Sequence, residues 1–186
     1  CSLEGEIVCT RCRIKLINTP VQRSAVVATK HGPLPVSAHL PFSKEVSRIV
    51  LGAKDEGNQD LEKIVVASLA RARSYFPSNV ILVPIPSTNR ARRKRARDFI
   101  SDIAQQVAQE SGDRVLELLT WTRKTAPQKK LSAHDRARNM NGAFEIRRDI
   151  LVKNQNDIRA HLLVLVDDVL TTGATMSEGF RALQAG

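Results

Sequence analysis

Leu162-Leu163-Val164-Leu165-Val166-Asp167-Asp168-Val169-Leu170-Thr171-Thr172-Gly173-Ala174-Thr175 decides how the rest of the chain is read. The apolar run Leu162 to Val166 has the length of one buried strand. It ends on two adjacent carboxylates, and a short Thr/Gly loop then opens a helix. In open α/β sheets, ligands bind beyond the carboxyl ends of the strands. A helix start offers unpaired backbone N–H groups and a positive dipole end, both suited to a phosphate. Gly173 lets the backbone come close to an anion, and the Thr hydroxyls add donors. Asp167 and Asp168, just upstream, can accept hydrogen bonds from sugar hydroxyls. One loop can therefore hold a ribose 5-phosphate. A plain strand–turn–helix capped by one aspartate has the same outline. Paired acids also follow a strand in nucleotide hydrolases, but those need a GxxxxGK[ST] loop, which this sequence lacks.

Outward from this stretch, strands alternate with helices. Ala25 to Thr29 predicts a short strand, and Gly32-Pro33 punctuates the chain. Ser43 is the expected cap of a helix running to about Ala53, and Asp60 that of the next. On the second helix Leu61, Ile64, Val65, Leu69, Ala72 and Phe76 share one face. Val80 to Val83, closed by Pro84-Ile85-Pro86, reads as a buried strand. Arg90 to Arg97 holds six basic residues in eight and leads into a helix. That helix is striped by Phe99, Ile100, Ile103, Ala104, Val107 and Ala108 and ends at Gly112. Val115 to Trp121 and Phe144 to Ile146 are further strand candidates. Thr125 to Asn141 reads as a long polar, basic loop, and Ser177 to Leu183 as a helix. The pattern is α/β, with a mostly parallel sheet and the His161–Val166 strand at its centre.

The 186 residues suit one domain of ordinary size, and 42% hydrophobic residues suit a packed core. No apolar run approaches the ~20 residues that span a bilayer, so no membrane partner is expected. Lys plus Arg is 29 against 19 Asp plus Glu, a net +10 that favours anionic partners. Aromatics at 4% argue against a surface that stacks single-stranded bases on rings. The three cysteines, Cys1, Cys9 and Cys12, form no disulfide framework, so a cytoplasmic setting is expected. Cys9-Thr10-Arg11-Cys12 has the spacing of a zinc half-site, with Cys1 as a third ligand. His31 and His39 are poorly spaced substitutes for a fourth. A redox pair, or two plain cysteines, would show the same spacing. The chain opens on Cys1 without an initiator methionine and reads as a fragment.

The VLVDDVLTTGAT spelling resembles the PRPP-binding signature of type I phosphoribosyltransferases. More of the chain is similar to one branch, the ComF/GntX family. Val83-Pro84-Ile85-Pro86 and the arginines after it resemble that family's VPVP and basic-loop segment. Gln128, Leu131, Arg136, Asn139 and Gly142-Ala143-Phe144 resemble its Q-x-x-L, R-x-x-N and GAF pattern. Lys54, before Gly57, stands where the family carries a lysine. Where the family has RGFNQ, this chain has Arg95-Ala96-Arg97-Asp98-Phe99, and only Arg95 matches. The resemblance implies a type I phosphoribosyltransferase fold over residues 25–186, after a partial zinc-ribbon segment at 1–24. It also implies a further cysteine before Cys1 and a last strand beyond Gly186.

The same resemblance implies PRPP binding with Mg²⁺ and phosphoribosyl transfer to an unidentified nitrogen acceptor. Asp167 and Asp168 would hold the ribose hydroxyls. Thr171, Thr172, Gly173, Ala174 and Thr175 would cradle the 5-phosphate. Lys54 and Arg95 are candidates for the pyrophosphate, and the loop bearing Gln128, Arg136 and Asn139 for closure over the site. Cys1, Cys9 and Cys12 are the candidate Zn²⁺ ligands. The alternative is a non-catalytic competence factor for DNA uptake. It would contact single-stranded DNA or a DNA-processing protein through the basic face.

Overall fold

The computed structural model describes residues 8–10, 14, 16, 18–20, 22–122 and 140–186. Strands β1 (Gln22–Thr29) and β2 (Gly32–Ala38) form an antiparallel hairpin, with Thr29 opposite Gly32. The sequence reading offers a strand at Ala25 to Thr29 and takes Gly32-Pro33 as punctuation, so β2, which carries Pro33 and Pro35, is an addition of the structure. A two-stranded ribbon tolerates them, since each strand has an outer edge that needs no donor.

Helix α1 (Lys44–Asp55) starts where expected: Ser43 Oγ accepts the Val46 N–H at 3.2 Å. Helix α2 (Gln59–Arg73) is capped by Asn58 and not by Asp60. Asn58 Oδ1 accepts the N–H groups of Asp60 and Leu61, each at 3.1 Å. Strand β3 (Ile81–Pro84) is followed by α3 (Asn89–Arg95) and α4 (Phe99–Ser111). All six residues of the predicted α4 stripe are buried, and Gly112 closes the helix at φ 73°.

The segment from Val115 to Trp121 is two strands, not one. Strand β4 (Arg114–Val115) runs parallel to β3, and β5 (Leu119–Trp121) pairs antiparallel with β6 (Phe144–Ile146). Between them the Leu118 N–H bonds the Leu116 carbonyl at 2.8 Å, a tight turn that moves the chain from one sheet to the other. Short helices α5 (Arg148–Lys153) and α6 (Gln155–Ala160) bury no residue fully and carry no apolar stripe to announce them. Strand β7 (Leu163–Val166) and helix α7 (Ala174–Gln184) complete the described chain.

The fold is mixed α/β. Its parallel sheet has the order β4-β3-β7, so β3 is the centre and β7 an edge among the described strands. That corrects the expected central position of the acid-tipped strand. That sheet is parallel throughout, as expected, while the other four described strands form two separate antiparallel pairs. Burial agrees: all of β3 is buried, but only Val166 of β7. Alternation along β3 sends Val80 and Leu82 into one core with Val50, Val65 and Phe99. Ile81 and Val83 enter a second, with Leu118, Phe144 and Ala182. No described helix is long and apolar enough to cross a membrane.

Candidate functional site

Strand β7 delivers Asp167 and Asp168 to the carboxyl end of the parallel sheet, where the Ile85 N–H reaches across to the Val166 carbonyl at 2.9 Å. Asp167 Oδ1 accepts the Asp168 N–H at 2.9 Å. Burial pushes the Asp167 carboxyl up to about 8, and the adjacent Asp168 charge adds to the rise. The Asp168 N–H and Lys54 act the other way. Asp168 is itself the acceptor of the Lys54 ammonium. Lys54 comes from the last turn of α1, so a sequence candidate meets the acid pair across the fold.

The loop then turns through exposed Thr171 and Thr172 to Gly173, which caps α7 at φ 75°. That angle favours glycine, and so does the space. A Cβ there would lie 2.8 Å from the Val27 methyl groups of β1. Thr172 Oγ1 accepts the Ala174 N–H at 3.4 Å, while Ala174 and Thr175 are half-buried. As the cap, Gly173 brings no hydrogen-bonding side chain of its own to the helix start.

Arg95 lies at the end of α3, its side chain 9% exposed. It donates to Asp55 Oδ1 and to Ser87 Oγ, each at 3.2 Å, so the tip of α1 binds both Asp168 and Arg95 through consecutive residues. The Arg95 Nε is buried with no partner among the described residues. Asp98 was not singled out from sequence. Its carboxylate accepts the Ser87 N–H at 3.2 Å and the Ser87 hydroxyl at 2.9 Å, fixing the loop after β3. Its one signal was its place in the segment that departs from RGFNQ. Within that segment Ala96 adopts φ 54°, a left-handed angle that glycine takes without strain. Arg97 turns inward, bonding Glu62 at 2.8 and 3.0 Å and Asp102 at 2.7 Å. The Arg97 guanidinium holds the Glu62 carboxyl below its ordinary range.

Gln128, Arg136, Asn139, Cys1 and Cys12 lie outside the described residues. Cys9 is buried. Among the described residues no group of three His, Cys, Asp or Glu is placed to hold a metal ion. His39 is no spare ligand: buried, its ring nitrogens bond Ser68 Oγ and the Thr19 carbonyl, both at 3.1 Å.

An acid-tipped parallel strand, a glycine-capped helix and a lysine held on Asp168 define an α/β protein with a polar site at the sheet's carboxyl end. The chain is similar to the DNA utilization protein YhgH of Escherichia coli O157:H7, at 30% identity over 180 residues, covering 94% of this chain and 70% of the relative. The counterparts from Shigella flexneri and Escherichia coli K12 match over the same shares at 30% and 29%. The chain belongs to the family of these DNA utilization proteins. No family model matches it. No solved structure matches it.

Proposed function

We propose that this chain is a ComF/GntX-type protein on a type I phosphoribosyltransferase fold that binds PRPP with Mg²⁺. The supporting observation is the Asp167–Asp168 pair at the carboxyl end of β7, beside a glycine-capped helix start and against Lys54. In this reading Asp168 exchanges the Lys54 ammonium for ribose hydroxyls, and Asp167 accepts from the neighbouring hydroxyl. The N–H groups from Thr171 to Thr175 take the 5-phosphate. Lys54, released from Asp168, and Arg95, with its unpartnered Nε, face the pyrophosphate.

The hard carboxylate oxygens fit Mg²⁺, which would neutralise pyrophosphate charge while keeping most of its waters. A nitrogen nucleophile then attacks the ribose C1 as the C1–O bond to pyrophosphate breaks. The protein's part is positioning and stabilising the separating charges. Gln128, Arg136 and Asn139 belong to the segment that closes over the site in this proposal. In this proposal the ribbon remnant is confined to the segment before β1, which begins at Gln22, and Cys1, Cys9 and Cys12 would be its Zn²⁺ ligands. Calorimetry of PRPP with and without Mg²⁺ tests the reading. Binding is expected only with Mg²⁺, and Asp168→Asn should weaken it about tenfold or more, the cost of one charge-assisted hydrogen bond. Equal binding by parent and variant refutes the ribose assignment.

A role in DNA handling is the second reading. Arg90, Arg92, Arg93 and Lys94 are exposed on α3, and the relatives carry the name DNA utilization protein. Replacing Arg92 and Arg93 by alanine should weaken single-stranded DNA binding and lower its salt slope by about 0.7 per lost phosphate contact. PRPP binding should stay unchanged. The opposite pattern would assign these arginines to PRPP.

A further inference from the structure

A small polar pocket lies beside the loop that follows β3 and the start of the arginine helix. Its walls are the Pro84–Ser87 loop, the β5 residues Thr120 and Trp121, and the side chains of Arg92, Glu117 and Arg147. The Trp121 indole N–H is spent on the Pro86 carbonyl at 2.6 Å, and its ring sits edge-on to Phe144 at 4.7 Å. What Trp121 still offers is an apolar ring surface in a polar pocket. Glu117 Oε1 accepts the buried Ser101 hydroxyl at 2.5 Å. Glu117 Oε2 stands 3.8 Å from Arg147 Nη1, too far for a hydrogen bond. Arg147 Nη2 donates to Asp149 at 3.3 Å, which leaves Nη1 beside Glu117 Oε2 as a donor and an acceptor for a third group. Asn89, Arg92 and Asp98 line this pocket and also a neighbouring shallow basin that adds Arg93 and Arg97. The basic surface thus runs without a break into the pocket.

We propose that this pocket binds the base of a nucleotide whose phosphate lies on Arg92 and Arg93. The ring packs against Trp121. Its amino group donates to Glu117, and a neighbouring carbonyl or ring nitrogen accepts from Arg147. Cytosine, guanine and adenine have such an edge, while thymine and uracil lack the amino group. Base stacking on an aromatic ring adds affinity without choosing the base, so the Glu117–Arg147 pair sets the preference. The nucleotide is either free or the end of a DNA strand. This inference goes beyond the PRPP reading and uses none of its residues.

Trp121 is the only tryptophan of the chain, so its fluorescence reports the pocket directly. The parent protein is titrated with CMP, GMP and TMP, and with short oligo(dC) and oligo(dT). CMP or oligo(dC) should quench Trp121 at concentrations about tenfold below their thymine counterparts, the discrimination of one good base contact. Glu117→Gln should remove that preference, and Arg147→Gln should weaken every amino-bearing base. CMP binding as tightly as oligo(dC) identifies a free nucleotide. Tighter oligo(dC) binding that is lost in Arg92→Ala identifies a strand end. Absence of quenching, equal response to cytosine and thymine, or a preference that survives Glu117→Gln overturns the proposal. PRPP calorimetry on Glu117→Gln should match the parent, which separates failure of this site from failure of the PRPP site.

Discussion

Asp113 and Asp167 are two carboxylates at opposite ends of one parallel sheet. Asp113 precedes β4 at the amino end, where it accepts from Arg73, from the Ser111 hydroxyl at 2.5 Å and from the Val80 N–H at 3.1 Å. Burial works to raise its pKa, but Arg73, Ser111 and the Val80 N–H together hold it below the ordinary range. Asp167 follows β7 at the carboxyl end. It has the Asp168 N–H and a second carboxylate for company, and burial drives it up to about 8. The amino end uses its charges to close the fold. The carboxyl end leaves Asp167 undercompensated, and such a group marks a site that awaits a ligand.

The largest way to break this contrast is at Arg73. Its side chain is 7% exposed and that of Asp113 is fully buried. Arg73→Ala strands a buried carboxylate and should cost about 3–5 kcal/mol in urea unfolding. A loss below about 1 kcal/mol would mean that water reaches Asp113 and that the two ends do not differ as described.

The pH dependence sharpens it next. Asp167 titrates near 3.8 when unfolded and near 8 when folded, so the native state keeps a proton that the unfolded chain gives up. Stability should therefore fall as pH rises from about 4 to about 8. Asp113 acts in the opposite sense, adding stability above its unfolded pKa that is lost as pH falls through its depressed native value. Asp167→Asn should raise stability at pH 8 and flatten the decline between pH 5 and 8. An unchanged slope in the variant would show that Asp167 ionises freely in the fold.

The smallest effect concerns the turn between the basic helix and α4. Ala96→Gly should relieve the left-handed backbone and raise the thermal midpoint, worth about 1 kcal/mol. Ala96 carries no titratable group, so the pH profile should keep its shape. A changed profile would couple this turn to the acid loop.

Local pattern made several elements readable. The α4 stripe, the Ser43 and Gly112 caps, the β7 strand and the glycine-led helix start are each set by residues within a few positions of one another, so periodicity and turn chemistry suffice. Readings failed where the deciding partner was elsewhere. Gly32-Pro33 reads as punctuation along the chain, and only the hairpin supplies the outer edge that lets Pro33 sit in a strand. The strand order could not be read because β4 and β7 both pair with β3 across intervening helices. The α5–α6 segment had no apolar stripe to find.

That two carboxylates end an apolar strand, and that threonine and glycine open the next helix, is written in contiguous residues and needs no fold to be read. Which carboxylates are neutralised depends on how the chain folds back on itself. The fold carries Lys54 across 114 positions to Asp168, joins Arg73 to Asp113 over 40, and turns Arg97 from the surface into Glu62. Coulomb and hydrogen-bond energies depend on separation in space and on the loss of water, neither of which is set by distance along the chain.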